Sequence, residues 1–126
     1  VCRLAMLESE RAARVAGRGI WAERDQVLSA SKPFTLLQNL GRYMIIEGQV
    51  LSVGDRQRRL YLNFGQKWSQ DFTALVVKKG TNAFKGDIEP LKNLRGKSVR
   101  IRGFLEQSGG PMVRLMHEGQ IEVDVR

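Results

Sequence analysis

Within residues 58–64 the chain alternates from Arg59 onward. Leu60, Leu62 and Phe64 fall on one side of an extended backbone, Arg59, Tyr61 and Asn63 on the other. Period two is the mark of a strand with one buried face. The pattern returns at residues 98–106, where Val99, Ile101 and Leu105 oppose Arg100, Arg102 and Phe104. Residues 43–53 are apolar on both faces and carry Gly48 in their middle, which predicts a long strand that bends to serve two sheets. Residues 71–78 predict a third strand, and residues 112–116 with 120–125 a broken fifth. Turns or loops are expected at 54–57, 65–70 and 108–111, each carrying Gly. Between the third and fourth strands, residues 81–94 space Ala83, Phe84, Ile88, Leu91 and Leu94 as a helical stretch.

Upstream the grammar is helical. Residues 3–16 are rich in Ala, Leu, Met, Glu and Arg, with a thin apolar stripe of Leu4, Leu7, Ala12 and Val15, and Gly17 and Gly19 offer a stop. So thin a stripe needs a neighbour to cover it, and a homodimer through this helix is one way to supply it. A polar link follows, then a short helical turn around Phe34, Leu36, Leu37 and Leu40, ended by Gly41. The expected division is therefore a helical segment and linker over 1–41 and a β domain over 42–126. Three strands, a helix and two strands, with the first strand bent, is the order of the five-stranded Greek-key barrel known as the OB-fold. The fold class expected is mainly β, with a helix between strands three and four and an N-terminal helical appendage.

Charge sharpens this picture. The 126 residues carry 21 Lys and Arg against 13 Asp and Glu, a net of +8. The excess is local: residues 56–102 hold twelve bases and three acids, whereas residues 103–126 hold two bases and four acids. Such a field attracts polyanions, nucleic acid before anionic lipid; a basic but merely solvated surface is the alternative. One Cys and one His provide neither an internal disulfide nor a zinc ligand set. No apolar run approaches the ~20 residues of a membrane span, and nothing near the start reads as a signal peptide. The first residue is Val, so the expectation is a piece of a longer protein, with its compartment, cytoplasmic or exported, left open.

Single-stranded nucleic acid is held by cations on phosphates and rings under bases, so a binding face must interleave the two. The candidates are Arg56, Arg58, Arg59, Tyr61 and Asn63 on and beside the second strand, Lys67 and Trp68 on the following loop, Lys78 and Lys79 at the end of the third strand, and Arg100 and Arg102 on the fourth. Each has an architectural reading too. Tyr61 and Trp68 would cover a barrel end, and Asn63 would bind backbone in a turn. Phe64 and Phe72 suit the core, and Asp71 suits local amides or a neighbouring Arg. No catalytic or metal-binding set emerges: Asp87 with Glu89, and Glu122 with Asp124, lack a third ligand, and His117 beside Glu118 has no Ser or Cys to activate. Gly109 and Gly110 lack the Lys and strand-to-helix setting of a phosphate loop.

Two stretches resemble a known family. ERAARVAGRGIWAE, residues 10–23, is similar to the last helix of the thermonuclease (staphylococcal-nuclease-like) domain, and YLNFGQKWSQDFT, residues 61–73, is similar to a signature of the OB-type segment that follows that domain in some bacterial nuclease-like proteins. The resemblance implies an accessory OB module behind a nuclease-like domain, whose own catalytic residues, and any Ca²⁺ they use, would lie upstream of Val1. It carries over fold and nucleic-acid association, not catalysis, and no cofactor for the residues present. The function expected is a non-catalytic nucleic-acid-binding module. The alternatives are a protein-interaction or dimerisation module and, third, a metal-dependent nuclease in its own right.

Overall fold

The computed structural model describes residues 27–67 and 69–123. The helix expected at 3–16, Trp68 and the last three residues lie outside that range. Among the described residues the chain is mainly β, with eight strands: β1 (Val27–Ser29), β2 (Tyr43–Gln49), β3 (Ser52–Asp55), β4 (Arg59–Asn63), β5 (Thr73–Val77), β6 (Ser98–Ser108), β7 (Gly110–Leu115) and β8 (Ile121–Val123). One short helix, α1 (Pro33–Leu37), lies between β1 and β2, with Pro at its start where no amide donor is needed. None of the described helices is long and apolar enough to cross a membrane.

The strands form one mixed sheet in the order β1-β2-β6-β7-β5-β4-β3, with β8 also on β6. Most pairings are antiparallel, but β1 runs parallel to β2 and β5 parallel to β7. The long first strand of the sequence reading is interrupted at Val50 and Leu51. Its first half pairs with β6 and its second with β4. At the interruption the Val50 amide donates to the Lys97 carbonyl and the Leu51 amide to the Asn63 carbonyl, so the chain passes from one neighbour to the other without losing backbone bonds. Gly48 sits just before, where an added Cβ would lie 2.5 Å from that of Ala30 and 3.1 Å from the Phe64 ring. The broken last strand is equally real: β7 pairs with the second half of β6, and β8 with the first half on the same side.

Alternation decides what is buried. Leu60 and Leu62 of β4 face Ala74 and Val76 of β5, together with Ile46, Val99, Ile101, Leu105, Val113 and Leu115 from the other strands. Each large side chain taken fully out of water contributes about 1.5–3 kcal/mol. Phe72 is in this core and Phe64 packs against it, with ring centroids 5.1 Å apart. Ala30 and Leu36 belong to the same cluster, so residues 27–41 pack on the sheet.

One expectation fails. Residues 81–94 do not form the helix read from their spacing; they turn irregularly through Gly80 and Gly86, both at positive φ, and end in a short 3-10 helix at Glu89–Asn93. Phe84, Leu91 and Leu94 still reach the core, so the apolar spacing records burial, while Pro90 and the glycines prevent a regular α-helix.

Candidate nucleic-acid interface

The outward side of β3, β4, β5 and β7 is a groove of about 710 Å³. Cross-strand register sets its rows. Ser52, Asn63, Thr73 and Met112 lie side by side across four strands, and Gly54, Tyr61 and Leu75 form the adjacent row. Thr73, Leu75 and Met112 point outward from the core yet are almost buried, because they form the groove's floor. This explains why β5 reads apolar without alternation: one face is core and the other is the bottom of a concavity.

Above that floor stand Arg59 and Tyr61 from β4, Arg56 from the β3–β4 hairpin and Arg95 from the segment before β6. Arg56, Arg59 and Arg95 are exposed, and none forms an ion pair with a described carboxylate. Tyr61 is half-buried and lies against Gly54. The Asn63 amide nitrogen donates to Ser52 Oγ at 3.3 Å, and Thr73 Oγ1 donates to Asn63 Oδ1 at 3.4 Å. Both bonds are long, so the amide retains hydrogen-bonding capacity toward the groove. Chemically the site offers exposed cations around a ring, a polar row and an apolar floor.

The other sequence candidates stand elsewhere. Arg58 and Lys79 are exposed, and Lys67 is exposed on the loop after β4; none of them lines the groove. Lys78 makes a very short contact to Asp55, with Lys92 Nζ 3.7 Å from the other carboxylate oxygen. The hydrogen bond from Lys78, reinforced by both ammonium charges, holds the Asp55 carboxyl below its ordinary range, and the bond to Glu89, ahead of the charge of Asp55, raises Lys92. Arg100 and Arg102 lie on the outward side of β2 and β6. Arg100 Nη2 is 2.5 Å from Glu47 Oε2 and Arg102 Nη2 is 2.9 Å from Glu122 Oε1. Their charge is largely answered within the sheet. Beside them Tyr43 and Phe104 meet edge to face with centroids 5.2 Å apart, and Phe104 is 60% exposed.

Arg95 is the groove cation that sequence reasoning missed, because nothing local ties it to β4. Asp71, by contrast, has an architectural role: its Oδ2 accepts from the Lys67 amide at 3.0 Å. Glu122 is committed to Arg102, and Asp87 caps the Glu89 amide. No cluster of three or more potential metal ligands occurs among the described residues.

No protein-family model and no curated protein sequence matches the chain. Solved structures do. The chain is similar to aspartyl-tRNA synthetase from Entamoeba histolytica, with TM-score 0.53 and 16% identity over 72% of this chain. It is also similar to asparaginyl-tRNA synthetase from Pyrococcus horikoshii, with TM-score 0.53 and 21% identity over 76% of this chain. The fold is of OB type. The chain spans only about a fifth of those enzymes, 20% and 22% of their lengths, and at these identities the likeness is one of fold alone. These likenesses do not show a nuclease-like origin.

Proposed function

We propose that the chain is a nucleic-acid-binding OB module, without catalysis of its own, that holds a single strand along the β3–β4–β5 groove. The observation that carries this reading is the coincidence, on one concave face, of three exposed arginines without a carboxylate partner among the described residues, a half-buried tyrosine ring and an apolar floor. Phosphates engage Arg56, Arg59 and Arg95, and a base stacks on Tyr61, a contact of ~1–3 kcal/mol. OB-type sheets bind oligonucleotides on this part of the fold, and the synthetases similar in fold act, by their names, on tRNA. In this reading β2 and β3 act as the shared bent strand that closes a five-stranded barrel over 42–126. The resemblance of residues 61–73 supports an origin beside a nuclease-like domain. The test is fluorescence anisotropy with a labelled pyrimidine oligomer. Tyr61→Ala should weaken binding about 5- to 150-fold without lowering thermal stability appreciably; absence of binding by the wild-type chain rejects the proposal.

A second reading, an interaction or dimerisation module, is favoured by the exposed Tyr43–Phe104 pair outside the groove. Light scattering decides it: a dimer dispersed by Phe104→Ser supports that reading.

A further inference from the structure

Resting on the nucleic-acid reading, we propose that the groove does not end at the β3–β5 face but continues past Leu51 and Arg95 into a second cleft, so that one single strand occupies both in series. The second cleft, of about 590 Å³, lies between the end of β1 and the segment before β6. Leu51 and Arg95 line both cavities, so the two adjoin at these residues.

The interruption of β2–β3 shapes this junction. Between Gln49 and Ser52 the backbone turns from β6 toward β4, leaving Leu51 45% exposed at the corner. Arg95 stands at the same corner on a different segment. Gly96 follows it at φ +83, so that the chain bends away there. The second cleft differs chemically from the first. Ser29, Ser31 and Gln49 supply polar groups, Phe64 and Ala30 supply apolar wall, and none of its described lining residues is acidic. Ser29 Oγ and Ser31 Oγ lie 2.7 Å apart, and Gln49 Nε2 donates to the Gly96 carbonyl at 2.9 Å, so these groups are already held in place. A cation at the junction, an uncharged polar cleft beyond it and no carboxylate among the described lining residues of either suit a phosphodiester chain that bends around Leu51, with Arg95 contacting the linkage between the halves.

The experiment compares oligothymidylates of about 3 and about 12 nucleotides, within the span of site sizes seen for OB folds. Ser31→Glu places a carboxylate in the second cleft at an exposed position, and Gln49→Glu does so from its other wall, should the first variant fold poorly. Each should bind the short oligomer within twofold of wild type and the long one at least tenfold more weakly, whereas Arg95→Ala should weaken both. Equal losses for both lengths, or none for the longer, overturn the two-cleft path while leaving the first groove intact. If wild type binds neither oligomer, the nucleic-acid reading falls, and this inference with it.

Discussion

Replacing Arg56, Arg59 and Arg95 together by Gln isolates the electrostatic part of the proposal. All three are exposed, line the groove and lack a carboxylate partner among the described residues, so their removal should change folding stability by no more than about 0.5 kcal/mol. Binding responds differently, because each phosphate neutralised on a single strand displaces condensed counterions. Each such contact contributes about −0.7 to the slope of log binding constant against log salt, so three contribute about −2. A fourfold rise in salt, from about 50 to about 200 mM, then weakens the wild type about 20-fold through these groups alone, and the triple variant should lack that increment. Anisotropy with a labelled oligothymidylate across the salt series measures the slope. The control is Lys79, Lys85 and Lys97 changed to Gln, which removes the same charge from exposed positions outside both clefts. If the two triple variants lose slope equally, binding follows net charge and the groove is irrelevant; an unchanged slope in the arginine variant refutes the phosphate contacts outright.

Three further outcomes follow from the fold. Leu62→Ala, at a fully buried position facing Ala74, should cost about 2–5 kcal/mol in urea unfolding, and an unshifted midpoint would deny the core its assigned face. Gly110→Ala should cost about 1–3 kcal/mol, because the new Cβ would lie 2.5 Å from the backbone carbonyl oxygen of Asp71; a wild-type midpoint would show that the β6–β7 hairpin yields easily. Asp55 has its carboxyl pKa depressed in the folded state, so its stabilisation is present above the ordinary value of 3.8 and disappears as pH falls through the lower folded value. Asp55→Asn should therefore flatten the acid side of the stability profile, and a profile parallel to wild type would remove the Lys78 interaction from the account.

Much of the fold was legible because strands with one wet face write their orientation into the sequence. Residues 58–64 and 98–106 have the facing expected of them, and the bend after Gly48 was announced by a long apolar stretch with an internal glycine. What escaped was non-local. The parallel partnership of Val27–Ser29 with β2 leaves no periodic trace in three residues. The apolar spacing at 81–94 records contact with the core and cannot distinguish a helix from an irregular path. At the candidate site, alternation placed Arg59, Tyr61 and Asn63 on the outward face, and the structure assembles them in one groove. Alternation says nothing of partners far along the chain. Lys78 is tied to Asp55, Arg100 to Glu47 and Arg102 to Glu122, whereas Arg95 reaches the groove from a segment that shows no strand pattern. Trp68 lies outside the described residues.

The central claim is that nucleic acid occupies the β3–β4–β5 face. It is tested most directly by following backbone amide chemical shifts of the full chain while titrating in an oligothymidylate. The account predicts perturbations concentrated at Tyr61, Asn63, Thr73, Leu75 and Arg95, with little change at Tyr43 and Phe104, which lie outside the groove. Perturbations centred on Tyr43 and Phe104, or spread evenly over every exposed lysine and arginine, would contradict it.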